Sequence, residues 1–454
     1  MRTRDRELDP WGDRLVGLLI LGLVLAVPLM WVSAYFGVRP DESLSFFAND
    51  GWCDVVTQGV GVHCFGDYRV PVAAALSDAP WSGADAPIPY PAIGMVPYAI
   101  AGLLQKTSLG SDGALAMYLI AMCLMMITPA VYVARRFRSW SGRTVTILVL
   151  GAAATPLLII FDRGGDVGFV VPFLLAFALF LDRSPRWVAP TAVIVVAAIR
   201  PQYVLLAIAF IAVRRWWSLL ASAGGAVAVT LLGFLLWPGS RLANLRQWIE
   251  AVVQPHPEIG DPVGGPGPPP ASSGPNLSLT RVVARVSGWL GGGEDALGWL
   301  RDHSLLPGLL LTILVVAVFL WRGRSVPRAA VVVTVMALPA LVPALSFAYY
   351  LAFVPPLAAV IIAQPAVPWL GRPEPDGRGL FADAFGPRMR WQIWAGFVLV
   401  AIVASMAPLA LPVGDGGFAV VLSYTGMLWS IVVIWAAVNA ALPDRAGVTE
   451  STPA

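Results

Sequence analysis

Charge, cysteine, histidine and lysine are all scarce in this chain of 454 residues. Only 13% of the residues are charged, there are three cysteines and three histidines, and Lys106 is the only lysine. No basic patch is interleaved with aromatic residues, so nucleic-acid binding has no support. The first apolar run, 15–36, is too long for the core of a signal peptide and lacks a small-residue cleavage site. We therefore expect it to be the first transmembrane helix.

Apolar residues dominate what remains. They make up 57% of the chain, and the mean hydropathy is +0.74. The apolar runs are continuous and mostly of the length that a bilayer requires, whereas a transmembrane β-barrel needs alternating residues. The sequence predicts an all-α integral membrane protein, a single polytopic domain over 1–454, with about twelve transmembrane helices plus one re-entrant or interfacial helix.

Arginine clusters orient the predicted spans. They lie at 135–143, 183–186, 214–215, 322–328 and 372–390. Alternating spans bring all of these clusters to one side, which the positive-inside rule assigns to the cytoplasm. In the plasma membrane both termini, including the tail 443–454, are then cytoplasmic. Residues 37–112 and 238–304 become extracytoplasmic loops, and the run 88–104 cannot cross the bilayer and is predicted to be re-entrant or interfacial.

The larger outer loop divides by composition. Residues 240–249 have the pattern of an amphipathic interfacial helix, and 255–275 are rich in Gly and Pro and predict no fixed structure. A second helix is predicted over 276–286, with Asn276 or Ser278 as its N-cap.

The first outer loop contains Cys53 and Cys64. Oxidising conditions outside the cell favour a disulfide between them over free thiols. Metal binding is less favoured, although His63 is adjacent, because no second ligand pair has suitable spacing. We predict neither a metal nor a cofactor.

Polar residues that could do chemistry converge on the predicted outer side. Arg163 and Arg200 break the positive-inside pattern there, and charges at such depth usually mark substrate sites. The alternative is an internal ion pair, of Arg163 with Asp166 or of Arg200 with an acid from another helix; both interpretations can hold together. Further candidates are Asp67, Tyr68, Tyr90, Gln202, Asn276, Arg281 and Tyr349.

Asp67 stands out among the loop acids because of its neighbours in Gly-Asp-Tyr-Arg-Val (66–70). A carboxylate near the membrane surface can act as general base on a hydroxyl acceptor. Arginines nearby can bind the phosphate of a lipid-linked donor through charge-assisted bonds. Asp41, which follows the first span closely beside Glu42, is the second choice for the base.

Five short motifs together resemble glycosyltransferase family 87. They are Gly-Asp-Tyr-Arg-Val (66–70), Tyr-Pro-Ala (90–92), Arg-Gly-Gly-Asp (163–166), Arg-Pro-Gln-Tyr (200–203) and Asn-Leu-Ser-Leu (276–279). The best-known members are actinobacterial polyprenol-phosphate-mannose-dependent α-mannosyltransferases with the C-type glycosyltransferase fold. The resemblance covers roughly 10–360 and implies that Asp67 is the catalytic base. The chain departs from the family's Tyr-Pro-Pro at Ala92, from its Arg-Gly-Asn at Gly165 and from its Asn-Gln-Ser at Leu277.

The expected function is that of an inverting glycosyltransferase of the cell envelope. A polyprenyl-phosphate donor gives a sugar, mannose or a pentose, to a lipid or glycan acceptor outside the cytoplasm. Arg163, Arg200 and Gln202 are expected to bind the donor phosphate. Tyr68, Tyr90, Asp166, Asn276, Arg281 and Tyr349 are expected near the acceptor or in the loops. The alternative, a transporter or flippase for a lipid-linked sugar, is less favoured because the chain shows no internal repeat.

Overall fold

The structure, a computed structural model, describes residues 65–77, 79–82, 88–137, 139–152, 154–253, 276–363, 389–406, 410–413, 417–420 and 422–442. The predicted first span 15–36, Asp41, and the predicted pair Cys53 and Cys64 lie outside these residues. Those predictions therefore stay predictions.

The first half of the described chain is a succession of helices. They are α1 (Gly66–Ala75), α2 (Ala92–Gln105), α3 (Gly110–Met126), α4 (Thr128–Ala134), α5 (Trp140–Ile147), α6 (Thr155–Arg163), α7 (Val171–Phe180), α8 (Val188–Ile199), α9 (Ala209–Ala212) and α10 (Trp216–Leu236). A π-helical turn, Leu148–Ala152, extends α5, and two 3-10 helices, Asp166–Val170 and Pro201–Ile208, precede α7 and α9.

The second half continues in the same way. Its helices are α11 (Arg241–Val253), α12 (Leu279–Trp289), α13 (Glu294–Asp302), α14 (Leu306–Arg322), α15 (Arg328–Leu341), α16 (Val354–Ala363), α17 (Met389–Met406) and α18 (Leu422–Ala441). A 3-10 helix, Ala348–Phe353, leads directly into α16. The prediction of an all-α protein holds except for one antiparallel hairpin of β1 (Ala410–Val413) and β2 (Gly417–Val420), in which Ala410 pairs with Val420.

Three described helices are long and apolar enough to cross a membrane: Trp216–Leu236, Leu306–Ser325 and Tyr424–Ala441. Two bent helix pairs raise the number to five if each pair is one span. The other apolar helices are 10–17 residues long, shorter than the roughly 20 residues of a standard span. The predicted count of about twelve is therefore not reached within the part of the chain that the structure describes.

One predicted span, 114–134, is bent by 42° between α3 and α4. Pro129 lacks a backbone N–H and cannot continue the hydrogen-bond ladder. The Thr128 hydroxyl donates instead to the Met125 carbonyl at 2.8 Å. An apolar run that looked continuous by hydropathy is thus broken by its one proline.

The helices differ in how much of their surface they bury. Every residue of α15 from Ala329 to Leu341 is buried, which is expected of a central helix that is apolar on all sides. Helix α14, by contrast, exposes Leu309, Leu310 and Ile313, each to more than half of its surface. Exposed apolar faces on long helices fit contact with lipid chains rather than water.

The structure has helices in both segments of 238–304 for which the sequence predicts them. A helix does occupy the predicted amphipathic segment, as α11, and another follows residue 276, as α12. Ser278 is the N-cap of α12: its hydroxyl accepts the backbone N–H of Arg281 at 3.2 Å. Helix α2 has 14 residues, which is about 21 Å of helix, so it is too short to cross a bilayer core of about 30 Å.

Candidate functional site

The first half of the candidate site is a buried ion pair between α1 and α6. Arg163 Nε donates to Asp67 Oδ2 at 2.8 Å, and Arg163 Nη2 donates to Asp67 Oδ1 at 3.2 Å. Only 5% of Arg163 and 6% of Asp67 is exposed. Two parallel charge-assisted bonds fix both side chains in one plane, which gives direction as well as strength.

The second half is another buried pair, between α8 and the 3-10 helix Asp166–Val170. Arg200 Nε donates to Asp166 Oδ1 at 2.7 Å, and Arg200 Nη1 donates to the Tyr350 hydroxyl at 3.4 Å. Asp166 is completely buried. A charge that far from water persists only with a partner, and each of these groups supplies the other.

Both pairs join the start of one helix to the end of another. Asp67 and Asp166 lie in the first turns of their helices, Arg163 lies in the last turn of α6, and Arg200 follows the last residue of α8. Carboxylates at helix starts and guanidinium groups at helix ends are each stabilised by the helix dipole. Pro201 ends α8 at this point, since it has no N–H to offer.

An aromatic wall lies beside both guanidinium groups. The Arg200 guanidinium carbon lies 3.9 Å from the centre of the Tyr90 ring. The Tyr349 ring lies 5.7 Å from the guanidinium of Arg163 and 5.8 Å from that of Arg200, and Phe347 also contacts Arg163 at 5.3 Å. Because Tyr349 contacts both arginines, the two ion pairs form one cluster with two positive and two negative groups.

A row of tyrosines supports the turn that joins the two pairs. Tyr98 stacks between Tyr90 and Tyr118, with ring centres 5.8 and 5.6 Å apart, and Tyr118 contacts Tyr68 at 4.8 Å. The Tyr98 hydroxyl accepts the backbone N–H of Asp166 at 2.9 Å, and the Tyr118 hydroxyl donates to the Gly164 carbonyl at 3.0 Å. Helices α2 and α3 thereby hold the turn in place.

The two glycines of this turn have different roles. Gly164 has a φ of +66°, and a Cβ there would lie 2.7 Å from the Cβ of Tyr68. Both the left-handed backbone and the close approach of α1 therefore require glycine. Gly165 has an ordinary φ of −75°, and a Cβ there would meet Asp67 Oδ2 at an acceptable 3.7 Å.

Burial keeps Tyr68 and Tyr90 neutral. It raises the pKa of Tyr90, an effect that the charge of Arg200 opposes and the charges of Asp67 and Asp166 reinforce. Burial likewise raises the pKa of Tyr68, and a hydrogen bond from Gln105 Nε2 at 3.3 Å lowers it slightly. Both phenols are therefore protonated at neutral pH and offer neutral polar groups beside the carboxylates.

Two buried polar oxygen atoms at the second pair lack hydrogen-bond partners among the described residues. They are Asp166 Oδ2 and the hydroxyl of Tyr203, which lies near Arg200 and Asp166. Buried polar groups are nearly always satisfied, by protein, by ordered water or by a bound molecule. This part of the site therefore has hydrogen-bonding capacity for water or a polar ligand.

The structure brings Asp67, Arg163, Asp166, Arg200 and Tyr349 together, with Tyr68 and Tyr90 beside them. The predicted pairing of Arg163 with Asp166 is wrong: Arg163 binds Asp67, and Asp166 binds Arg200. The physical reason is the left-handed Gly164, which turns the chain so that the neighbouring charges point to different helices.

Three other predicted residues do not join this cluster. Gln202 is half-buried and makes no side-chain hydrogen bond to any described residue. Asn276 is a structural brace: its Oδ1 accepts the backbone N–H groups of Ser278 and Ser346, each at 3.0 Å. That brace positions the segment that leads to Tyr349. Arg281 is buried on α12.

Some residues of the site were missed by the sequence interpretation. Tyr98, Tyr118 and Phe347 looked like ordinary members of apolar runs. Trp81 donates from Nε1 to the Tyr90 carbonyl at 2.8 Å, and Trp248 donates to the Pro89 carbonyl at 3.1 Å, which fixes Tyr90 over Arg200. The aromatic residues near Tyr-Pro-Ala (90–92) in the sequence were the signal from which an aromatic site could have been predicted.

The chemistry that this cluster permits is proton transfer to a carboxylate and binding of an anion by guanidinium groups. Among the residues that the structure places, no group of three or more His, Cys, Asp or Glu side chains could hold a metal ion. The two arginines are the cationic groups available here.

Comparison with known proteins identifies the family of this chain. The profile described as Glycosyltransferase family 87 matches residues 89–343, more than half of the chain. The match includes Tyr90, Arg163, Asp166 and Arg200, while Asp67 precedes it. No curated protein and no solved structure matches the chain. With the apolar helices and the buried charged cluster, this match shows that the chain belongs to glycosyltransferase family 87 and is a membrane glycosyltransferase.

Proposed function

We propose that this protein transfers a sugar, mannose in the first instance, from a polyprenyl-phosphate donor to the hydroxyl of a lipid or glycan acceptor. The observation that carries the proposal is the bidentate pair of Asp67 and Arg163, buried beside the second pair. A glycosyl transfer from a phosphate needs a base for the acceptor and positive charge for the leaving group. The cluster contains both kinds of group within one aromatic enclosure.

Asp67 is the proposed base. Its carboxylate takes the proton of the acceptor hydroxyl while the hydroxyl oxygen attacks the anomeric carbon. The bond from that carbon to the phosphate oxygen breaks, and the polyprenyl phosphate leaves with the electron pair. Attack from the face opposite the phosphate inverts the anomeric centre. Asp166 is a poorer candidate because it is fully buried behind Arg200.

Arg163 and Arg200 are the proposed phosphate ligands. In the structure both are already paired, so their charges are offset by Asp67 and Asp166. A donor phosphate that binds Arg163 competes with Asp67 for the same N–H groups. The exchange frees the Asp67 carboxylate for the acceptor only after the donor has bound. The positive charge then stays next to the phosphate, where negative charge develops in the transition state.

The proposed setting is the plasma membrane, with the site on the extracytoplasmic face and both termini in the cytoplasm. The arginine-rich connections of the chain support this orientation through the positive-inside rule. The loop 238–304 then lies on the same side as the site, and its brace at Asn276 connects it to the segment that contains Tyr349.

The test is a transfer assay in lipid nanodiscs with radiolabelled polyprenyl-phosphate sugars and membrane lipids as acceptors. Wild type is compared with Asp67→Asn and with Asp182→Asn, a matched control at the other end of the bundle. We expect at least a hundredfold loss of transfer in Asp67→Asn, the range of general-base effects, with donor binding kept and the control active.

Other outcomes point elsewhere. Transfer unaffected by Asp67→Asn would contradict the assignment of the base and move that role to Asp41, the second choice. No transfer with any donor, combined with movement of a labelled lipid into sealed vesicles, would support the transporter or flippase alternative instead.

A further inference from the structure

A second charged region lies at the opposite end of the bundle from the candidate site. Residues 181–187, 213–217 and 321–328, here called the arginine end, contain seven arginines and one acid. Helix α8 runs from this end to Arg200, and α10 runs its 21 residues away from it. The 12 residues of α8 cover about 18 Å of helix, so the two charged regions lie at opposite ends of α8.

The three segments are joined to one another by their side chains. Asp182 Oδ2 lies 3.0 Å from Arg328 Nε, and Asp182 Oδ1 lies 4.0 Å from Arg215 Nη2. Arg215 also donates to the Leu181 carbonyl, and Arg214 donates to the Leu320 carbonyl. Contacts of Arg214, Arg215 and Arg328 to one carboxylate and two carbonyl groups therefore hold the three segments together.

This surface keeps a large excess of positive charge. Among the described residues one acid, Asp182, pairs with this set, and its side chain is one-third exposed. Two guanidinium atoms, Arg322 Nε and Arg328 Nη1, are shielded from water and donate no hydrogen bond within the part of the chain that the structure describes. Buried donors of this kind call for an acceptor. An anion at this surface would provide one.

The position of the surface indicates which anion. Two of the span-length helices, α10 and α14, have an end here, so the arginine end lies where the membrane meets water. Four tryptophans of these segments are exposed: Trp187 to 66%, Trp216 to 44%, Trp217 to 85% and Trp321 to 64%. Exposed tryptophans at helix ends typically lie at the level of lipid headgroups.

Arginine and tryptophan also contact each other in this region. The Arg322 guanidinium lies 4.6 Å from the Trp321 ring centre, and that of Arg214 lies 5.8 Å from Trp216. A ring that covers one face of a guanidinium leaves its N–H edge available to an acceptor. Planar N–H edges match the geometry of phosphate oxygens.

We propose that the arginine end is a binding site for the phosphate headgroup of an anionic phospholipid. The headgroup accepts from the arginine N–H groups, the exposed tryptophans lie among the neighbouring headgroups, and the acyl chains lie along α10 and α14. This site is independent of sugar transfer, since it involves none of the residues of the two buried ion pairs.

The test measures lipid retention on the full-length protein. Native mass spectrometry on protein purified in neutral detergent counts bound phosphatidylglycerol and phosphatidylcholine during titration. A triple variant, Arg214→Gln, Arg322→Gln and Arg324→Gln, is compared with a matched variant that loses three exposed arginines elsewhere, Arg241→Gln, Arg246→Gln and Arg301→Gln. We expect wild type to prefer phosphatidylglycerol and the first variant to bind it about tenfold or more weakly, with the matched variant unchanged.

A third protein, with lysine at the same three positions, controls for folding. It retains the charges and is expected to keep most of the preference, which a misfolded variant would not. Equal binding of the two lipids by wild type would overturn the proposal, as would equal affinities of the two glutamine variants for phosphatidylglycerol. Binding of inorganic phosphate as tight as that of the lipid would also overturn it.

Discussion

The two ends of this bundle both concentrate arginine but treat it in opposite ways. At the candidate site each arginine is buried against its own carboxylate, at 2.8 Å for Arg163 and Asp67 and at 2.7 Å for Arg200 and Asp166. At the arginine end none of the seven arginines is buried, and only Arg215 and Arg328 pair with Asp182 among the described residues. The first arrangement is neutral and rigid, whereas the second is positively charged and open.

The difference follows from the hydration of the charged side chains. A buried guanidinium without a partner carries a large desolvation cost, so the site end contains one acid for each arginine. At the membrane surface water and headgroups solvate the charge, and no such matching is needed. In the neutral cluster a phosphate can bind an arginine only by displacing its carboxylate. A surface with excess positive charge attracts the anions around it directly. The same residue type therefore serves two purposes.

The largest expected effect comes from removing one member of a buried pair. Arg200→Ala leaves the Asp166 carboxylate buried without its cation, and the free energy of unfolding should fall by about 3–5 kcal/mol. Arg324→Ala at the arginine end should change it by less than about 0.5 kcal/mol. Denaturant titration in detergent micelles measures both. Similar losses in the two variants would remove the contrast between the ends.

The turn between the two pairs gives the next largest effect. Gly164→Ala combines a left-handed backbone with a 2.7 Å approach to Tyr68, so we expect a loss of stability of about 2–3 kcal/mol. Gly165→Ala has neither problem and should cost less than about 0.5 kcal/mol. The same titration compares these neighbours, and equal costs would show that the turn is not as tight as described.

Stacking on Arg200 should contribute less. Tyr90→Leu removes the ring that lies 3.9 Å from the guanidinium, and we expect a loss of about 1–2 kcal/mol in transition-state stabilisation, read from kcat/KM of sugar transfer. Tyr90→Phe keeps the ring face and should retain most of the activity. A phenylalanine variant as weak as the leucine variant would assign the effect to the hydroxyl.

The smallest effect is expected for the one acid of the arginine end. Asp182→Asn weakens contacts to Arg328 and Arg215 that are partly exposed, so the loss of stability should be about 0.5 kcal/mol and should disappear near 1 M salt. Thermal unfolding at low and high salt tests this. A salt-independent loss would mean that Asp182 behaves like the buried acids.

The sequence singled out the two arginines of the buried cluster, but it did not identify the acid that pairs with each of them. Arg163 and Arg200 were identifiable because positive charge at the predicted outer ends violates the positive-inside pattern. Their acids lie 96 and 34 residues away along the chain, and no local pattern connects them. The left-handed Gly164 decides which acid faces which arginine, and the φ angle of a glycine cannot be read from the sequence.

The aromatic enclosure and the bend between α3 and α4 could not be predicted from the sequence. Tyr98 and Tyr118 lie in apolar runs, where a tyrosine that stacks cannot be distinguished from one that only packs. Hydropathy located the runs, but it did not show that α3 and α4 are bent by 42°. The helices of 240–249 and 276–286 and the N-cap Ser278 were predictable because their signals are local.

The most direct test of the buried cluster as a reaction centre measures donor binding and sugar transfer on the same nanodisc preparations of wild type, Asp67→Asn and Asp182→Asn. If Asp67 is the base and the donor phosphate takes its place on Arg163, Asp67→Asn should lose transfer at least a hundredfold while binding the polyprenyl-phosphate sugar at least as tightly as wild type, and the control should keep both. Loss of donor binding together with transfer in Asp67→Asn, or retention of both, would contradict this mechanism.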